Sequence, residues 1–312
     1  MQYWMQIIKE ATVGTTPTAD ADNSIWIDLG TTDPGITYTP EITEIKSALP
    51  RRGVTSRFAV STRGSVSGSL TTGLYHEQAA FWNSVTFSQT LGGSAPYPAS
   101  LPTVTINTGW TDDSGTARYE QYKRCIIPSF SLAGSNTQDA INLTVNVLGG
   151  EYNGGATIAP PACSNFPVEL YLWNMLTFEL NDVQIENYLL SLTVAGNHSI
   201  TPRRHIRKFP DSYHYGGYQP SVNVSLDMFS HAYRTQYLDI ETAFADAIYS
   251  TNNKIELTYA ADKKVAFNLY DAMFRSLTPS RTPGQPHTQS ATIVPFYDCT
   301  NLDMTCTITN PA

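Results

Sequence analysis

Hydrophobic and polar residues alternate along most of the chain, which is typical of strands with one buried face. The clearest runs are Ile141-Leu143-Val145-Val147, Leu190-Leu192-Val194, Ile255-Leu257-Tyr259 and Met304-Cys306-Ile308. The pattern predicts a mostly β protein built from sandwich or barrel units. Because unpaired terminal segments fray, the last of these runs predicts that the C-terminal end is paired into a sheet. Tyr3 to Ile8 is likewise expected to join a sheet or to reach a neighbouring chain.

Two segments follow the helical period of 3.6 residues instead. In the second, Tyr233, Tyr237, Ile240, Phe244 and Ile248 fall on one face, with Ser230 placed as the N-cap. In the first, Leu74 to Val85, the corresponding face carries Tyr75, Ala79 and Trp82. We predict one helix in each half of the chain, packed through Tyr75 and Trp82 in one and through Tyr237, Ile240 and Phe244 in the other.

A Gly- and Pro-rich stretch divides the chain into halves of similar length. The segment GGEYNGGATIAPPACS, from Gly149 to Ser164, cannot sustain a helix or a central strand. We therefore predict a first domain over residues 1–150, a linker over 151–164 and a second domain over 165–312.

Two landmarks recur in the same order in both halves. The first is PRRGVTSRF, from Pro50, which matches PRRHIRKF, from Pro202. The second is SVSGSL, from Ser65, which matches SVNVSL, from Ser221, at nearly the same separation. A predicted helix follows each second landmark. The shared order of basic loop, strand and helix favours a tandem duplication.

Composition narrows the possible functions. Charged residues make up only 15% of the chain and the net charge is −8, so general attraction to nucleic acid is not expected. No signal peptide and no membrane span is predicted. The four cysteines, Cys125, Cys163, Cys299 and Cys306, have no zinc-binding spacing and are interpreted as free thiols.

No motif for catalysis or cofactor binding is found. Phosphate-binding loops, nucleophile elbows and metalloprotease motifs do not occur in the sequence. His198, His205 and His214 lie among basic residues that would repel a cation, and Asp112 and Asp113 belong to a TDDSG turn. We predict no enzyme activity, no cofactor and no metal.

The charge is distributed unevenly, with one basic loop in each half. The first loop carries Arg51, Arg52, Arg57 and Arg63, and the second carries Arg203, Arg204, Arg207 and Lys208, with Tyr213, Tyr215 and Tyr218 close behind. A single loop of this kind is adequately explained as a solvated surface excursion. Because arginine and tyrosine are enriched at interfaces, the repeated cluster favours a contact surface steered by the acidic body of another subunit.

The order of elements resembles that of a major tail tube protein of long-tailed bacteriophages. The resemblance is carried by IIKEATVGTTPT, SALPRRGVTSRFAVSTRGSVSGSL and YKRCIIPSFSLAGSNTQDAINLTVNVLG in the first half, with a looser second copy over residues 165–312. It implies two tandem β-sandwich or barrel domains, each with a flanking helix on the outer wall and a long loop that packs on the adjacent ring. It also implies trimers with pseudo-sixfold symmetry, stacked into a tube. From the repeated basic clusters, we assign loops 44–64 and 196–219 to the contacts between rings.

The implied partners follow from the same resemblance. They are further copies of the chain, tape measure protein and DNA in the lumen, and tail terminator and distal tail proteins at the ends, within a virion tail assembled in the host cytoplasm. No membrane is implied. Two other classes stay open: a distal tail or baseplate ring protein of the same fold, and a carbohydrate-binding β-sandwich, suggested by 18 tyrosines and 5 tryptophans.

Overall fold

A computed structural model describes most of the chain. The described residues are 3–20, 23–46, 56–87, 101–111, 114–154, 158, 161, 165–180, 182–185, 189–204, 209–227, 253–280, 288–295 and 304–309. The predicted second helix, with Tyr237, Ile240 and Phe244, lies outside these residues.

Strands dominate both halves, as the alternating pattern predicts. The first half contains β1 (Tyr3–Lys9), β2 (Ser24–Gly30), β3 (Ile36–Lys46), β4 (Ser56–Gly73), β5 (Val104–Thr111), β6 (Ala117–Ser135), β7 (Gln138–Gly149) and β8 (Glu151–Asn153). The second contains β9 (Leu176–Leu180), β10 (Val183–Gln184), β11 (Leu189–Arg203), β12 (Ser212–Asp227), β13 (Asn253–Ala260), β14 (Lys263–Leu269), β15 (Met273–Ser280), β16 (Thr288–Val294) and β17 (Met304–Thr309).

The first half is a sandwich of two antiparallel layers that share the long strand β6. The amino-terminal part of β6 pairs with β5 and β8, in the order β2-β1-β5-β6-β8. Its carboxyl-terminal part pairs with β7, in the order β3-β4-β7-β6. Arg124, where the strand passes from one layer to the other, has a φ of 55°.

The second half repeats this pairing pattern strand by strand. One layer has the order β10-β9-β13-β14-β17, and the other has the order β11-β12-β16-β15. The pair β14 and β15 takes the place of the single strand β6, with a break at residues 270–272. Within this break, Asp271 has a φ of 40°, which parallels the conformation of Arg124. Each pairing within the first half thus has a counterpart in the second.

One antiparallel pairing joins the halves into a continuous layer. Residues 129–135 of β6 pair with residues 191–197 of β11, with Leu132 opposite Val194 and Ser131 opposite Ala195. The strands β3-β4-β7-β6-β11-β12-β16-β15 therefore form one eight-strand layer. Leu132 and Val194 point to its buried side. The alternation of both strands is thus in phase across the boundary between halves.

The helix α1 (His76–Trp82) is shorter than the predicted segment and continues as a π-helical turn, Asn83–Phe87. Leu74 does not enter the helix because its backbone N–H donates to Ile141 O at 2.9 Å, which keeps it with the sheet. Trp82, predicted to pack, is fully buried, and Tyr75 is half-buried at the N-cap. The helix therefore begins only after the strand has satisfied its own hydrogen bonds.

The apolar core runs through both halves. Phe87, at the end of the π-helical turn, packs against Phe130 of β6 at a ring distance of 4.9 Å and against Phe267 of β14 at 5.5 Å. The helical segment of the first half thus packs against a sheet of the second.

Both chain ends behave as the sequence predicts. β17 pairs with β14, which confirms that the C-terminal run is part of a sheet. β1 lies between β2 and β5. In the predicted linker, Glu151 to Asn153 pair with β6 as the short strand β8, because the glycines flank that pairing and do not interrupt it.

Replacing Leu132 by Ala is expected to destabilise the protein by about 2–5 kcal/mol, because it empties part of the core directly beneath the junction of the halves. Ser131→Ala, on the neighbouring residue but the opposite face, is the matched control and should change the free energy of unfolding by no more than about 0.5 kcal/mol. Urea denaturation of unassembled protein measures both. Equal effects of the two substitutions would contradict the described register.

Candidate functional site

The eight-strand layer has one face that is covered almost entirely by short uncharged side chains. Its buried face carries the apolar residues, so period-two alternation places Ser, Thr, Asn and Ala on the other. These residues are Thr37, Thr39, Ser65, Ser67, Ser69, Thr71, Ser129, Ser131, Ala133, Asn142, Thr144, Asn146, Ser191, Thr193, Ala195, Ser221, Asn223, Ser225, Ser276, Thr278, Ser290 and Thr292. We call this surface the hydroxyl face.

Cross-strand hydrogen bonds connect side chains of the hydroxyl face. Thr71 and Thr144 share a hydrogen bond of 2.9 Å between their hydroxyl groups. Asn146 Nδ2 donates to Ser129 Oγ at 2.8 Å. In the other half, Thr292 Oγ1 donates to Asn223 Oδ1 at 2.8 Å. These bonds hold the side chains flat against the sheet and give both halves the same kind of surface.

Charged side chains are placed at the margins of this face. Glu41 and Arg275 lie on the two edge strands, and Asp227 ends β12. Among the residues whose side chains the structure describes, this surface presents no array of cations with which to bind phosphate, and most of its side chains are short. The concave part crosses the junction between the halves and is lined by Ser129, Asn146 and Ala195, with Arg275 reaching it from the edge strand.

The second basic loop is a hairpin formed by the outer parts of β11 and β12, and it packs on the first half of the same chain. Tyr213 donates its hydroxyl hydrogen to the backbone oxygen of Arg124. Tyr215 donates to Leu101 O at 3.0 Å, and Arg204 donates to Gly64 O at 2.7 Å. Burial raises the pKa of Tyr215 to about 12. These contacts fix the hairpin in place without an ion pair among their members.

A buried carboxylate organises the surface on which this hairpin rests. Glu10, 6% exposed, accepts hydrogen bonds from Thr103 Oγ1 at 2.6 Å, Thr105 Oγ1 at 2.9 Å and the backbone N–H of Arg124 at 2.9 Å. The backbone N–H of Gly14 donates to the same carboxylate at 2.6 Å. Several donors on one carboxylate offset the cost of burying its charge.

Arg124 extends this arrangement to the hairpin. Its Nε donates to Glu151 at 2.8 Å, and its Nη1 donates to Pro210 O at 3.2 Å. We call Glu10, Arg124 and Glu151 the Arg124 anchor. Sequence reasoning missed it, since none of the three belongs to a motif. They come together only when β5 pairs with both β1 and β6, and β8 pairs with β6.

The predicted contact residues fall into three groups. Tyr213, Tyr215 and Arg204 make the internal contacts above, while Arg203 is exposed at the end of β11. Arg57 and Arg63 belong to β4, but their side chains lie outside the described part. Arg51, Arg52, Arg207 and Lys208 lie outside the described residues altogether.

The described residues offer no cluster of three metal-ligating side chains. His198 is buried against the ring of Tyr218, with 4.4 Å between ring centroids, and burial lowers its pKa to about 4. His214 is exposed, and His205 lies outside the described residues. Tyr152 and Tyr259, the most exposed of the described aromatic residues, lie in different halves and form no shared sugar-stacking platform. No helix in the described ranges has the length and hydropathy of a membrane span.

Comparison with known proteins gives one family. The family model described as phage tail tube protein matches residues 5–298. A search of curated proteins found no match.

Replacing Tyr213 by Phe removes one hydrogen bond to the Arg124 carbonyl and should lower stability at neutral pH by about 1 kcal/mol. Burial raises the pKa of the Tyr213 phenol above its ordinary value of 10.0. The native state therefore keeps a proton that the unfolded chain loses, so this stabilisation is present below pH 10 and declines as the pH rises further. Tyr213→Phe should thus also flatten the fall in stability above pH 10.

The matched control for this substitution is Tyr259→Phe, at a tyrosine that is 38% exposed. It should leave stability within about 0.5 kcal/mol of the wild type. Denaturant titrations from pH 7 to 11 measure both variants. Indistinguishable curves for them would show that the hairpin is not held through Tyr213.

Proposed function

The chain belongs to the phage tail tube protein family, and we propose that it polymerises as stacked rings whose hydroxyl faces line the conduit for DNA. The family makes it a structural component of a virion tail. The observation that carries the finer proposal is the continuity of the hydroxyl face across both halves. A surface that spans the whole eight-strand layer without a central charge is suited to line a bore.

The composition of this face explains why DNA would pass along it without being held. A bore lined with arginine and lysine would neutralise phosphates and release their counterions, and six to ten such contacts change affinity by roughly 10³ to 10⁵ over a modest salt range. Ser, Thr and Asn instead present hydrogen-bonding groups that water satisfies equally well. The DNA and the tape measure protein would therefore slide against a hydrated neutral wall.

The proposed ring contains three copies with pseudo-sixfold symmetry. Support comes from the recurring pairing order, in which both halves build the same two layers. It also comes from Ser65 and Ser221, the first residues of the matched segments, which lie on the hydroxyl face in β4 and β12. In this proposal residues 1–150 and 165–312 are duplicated modules that take equivalent positions around the ring. The α1 side faces outward.

The basic hairpins are proposed to contact the adjacent ring. Exposed Arg203, with Arg207 and Lys208 beyond it, would meet the acidic body of a subunit in the next ring, as would Arg51 and Arg52 of the first hairpin. Tyr213, Tyr215 and Arg204 support this role by holding the second hairpin against its own subunit. Tail terminator and distal tail proteins would occupy the two ends of the stack.

Arginine introduced on the hydroxyl face should slow the passage of DNA. Ser69 and Ser225 occupy matching positions in β4 and β12, and the variant Ser69→Arg/Ser225→Arg places a cation in each half. Phage assembled with this variant should release DNA more slowly, with the delay shrinking as salt rises. Ser69→Asn/Ser225→Asn is the neutral control. Wild-type release by the arginine variant would count against a luminal position of this face.

Charge reversal at the first hairpin should prevent stacking. Arg51→Glu/Arg52→Glu is expected to give folded protein that forms rings but no long cylinders under negative-stain microscopy, because like charges would then face each other between rings. Arg51→Gln/Arg52→Gln should weaken assembly less, and Arg118→Glu, away from the hairpins, should leave it unchanged. Normal cylinders from the double glutamate variant would refute the contact. Single rings from the wild type would instead favour a distal tail protein.

A further inference from the structure

The eight-strand layer ends in two strands that are paired on one side only. Within the described chain, β3 pairs with β4 alone and β15 pairs with β16 alone. Thr39 and Pro40 on the first edge and Ser280 on the second are exposed. Open edges offer unpaired backbone groups to another strand, so a soluble assembly has to close or block them.

The junction inside the chain shows how such edges fit together. There, β6 of the first half pairs antiparallel with β11 of the second half. The pairing pattern makes β15 the counterpart of β6, and it makes β3 the counterpart of β11. By this correspondence, β15 of one copy and β3 of the next copy are related in the same way as β6 and β11 within one chain.

The matched segments fix which residues correspond on the β3 side. Ser65 begins the SVSGSL segment and pairs with Thr39 of β3. Ser221 begins the SVNVSL segment and pairs with Ala195 of β11. Thr39 is therefore the counterpart of Ala195.

The same segments fix the correspondence on the other edge. Thr71 follows the first segment, and it pairs with Thr144, which in turn pairs with Ser131 of β6. Asp227 follows the second segment and pairs with Thr288, which in turn pairs with Ser280 of β15. Ser280 is therefore the counterpart of Ser131, the residue opposite Ala195 in the internal junction.

We propose that β15 of one copy pairs antiparallel with β3 of the next, with Ser280 directly opposite Thr39. This inference rests on the proposed ring and adds its seam and register. The operation that relates the first half to the second is then repeated from copy to copy. Repetition of one rotation closes the ring when the rotation divides the full circle. With two halves per copy, sixfold quasi-symmetry requires three copies.

The seam between copies differs chemically from the internal junction. The difference lies at the residue pair next to Thr39 and Ser280. Gly196 and Phe130 lie opposite each other inside the chain, whereas the same register places Pro40 opposite Pro279 between copies. Prolines in edge strands direct their nitrogens away from the paired neighbour, so both face the seam and neither donates a hydrogen bond there. The seam therefore has fewer backbone hydrogen bonds at this pair than the internal junction has.

A disulfide scan tests the register. In a background with Cys163→Ser and Cys299→Ser, the pair Thr39→Cys/Ser280→Cys should cross-link on mild oxidation, because directly opposite residues of an antiparallel pair lie within disulfide reach. Non-reducing gels of assembled protein should show dimers and trimers and nothing larger. Mixing the two single variants should give dimers alone, which provides a readout if the double variant folds poorly.

Two matched controls define the result. Ala195→Cys/Ser131→Cys repeats the geometry inside one chain and should cross-link without any increase in mass. Thr39→Cys/Thr278→Cys is out of register and should cross-link at least about tenfold less.

The outcomes separate the seam from the proposed function. Cylinders that show no cross-link between positions 39 and 280, while the internal control reacts, would overturn this seam and leave the tube intact. A ladder that continues beyond trimers would overturn the three-copy ring. Wild-type protein that forms no cylinders would refute the tube function itself, whatever the cross-linking shows.

Discussion

The antiparallel pairing of β6 with β11 is the constraint on which the rest of the molecule depends. Among the named strands of the described chain it is the pairing that joins the two halves, with isolated bridges at Tyr75–Leu170 and Ala140–Leu172 beside it, and its register sets the phase of the strands beyond it. A slip of one residue would turn Leu192 and Val194 onto the polar side and bury Thr193 among the phenylalanines. Because both faces would be penalised at once, the register is strongly specified. This register makes the core continuous on one side of the layer and the hydroxyl face continuous on the other.

A second constraint secures the hairpin of β11 and β12. The Arg124 anchor connects the N-terminal segment, β6 and β8, and Arg124 also contacts Pro210 of the hairpin. Glu10 is buried with donors on both carboxylate oxygens, so removing any one element would leave polar groups in the interior without partners. Folding of the hairpin is thus coupled to folding of the first half. The base of the basic loop is thereby fixed to the first half.

The sequence could reveal features whose pattern lies within one segment, and it could not reveal features that form only when distant strands pair. Alternation in β7 predicted its two faces correctly, since Ile141, Leu143 and Val145 are buried and the intervening residues are not. The helical period over residues 74–85 also predicted α1 correctly, although Leu74 stays with the sheet because its backbone N–H donates to Ile141 O. The Arg124 anchor was invisible, because Glu10 and Arg124 meet only after the strands pair. The alternation of short hydroxyl side chains could be read from the sequence. That these side chains form one continuous face could be known only from the order of the strands in the sheet.

The continuity of β6 has a mechanical consequence. In the first half one uninterrupted strand, β6, is hydrogen-bonded into both layers of the sandwich and connects them without a break in strand structure. In the second half the corresponding strand is interrupted at Tyr270 to Ala272, whereas β6 passes its own left-handed residue, Arg124, without a break. In the proposed tube, bending is therefore expected to concentrate at residues 270–272, where the strand is interrupted. A tube wall built from both halves of the chain would alternate stiffer and more flexible segments around its circumference.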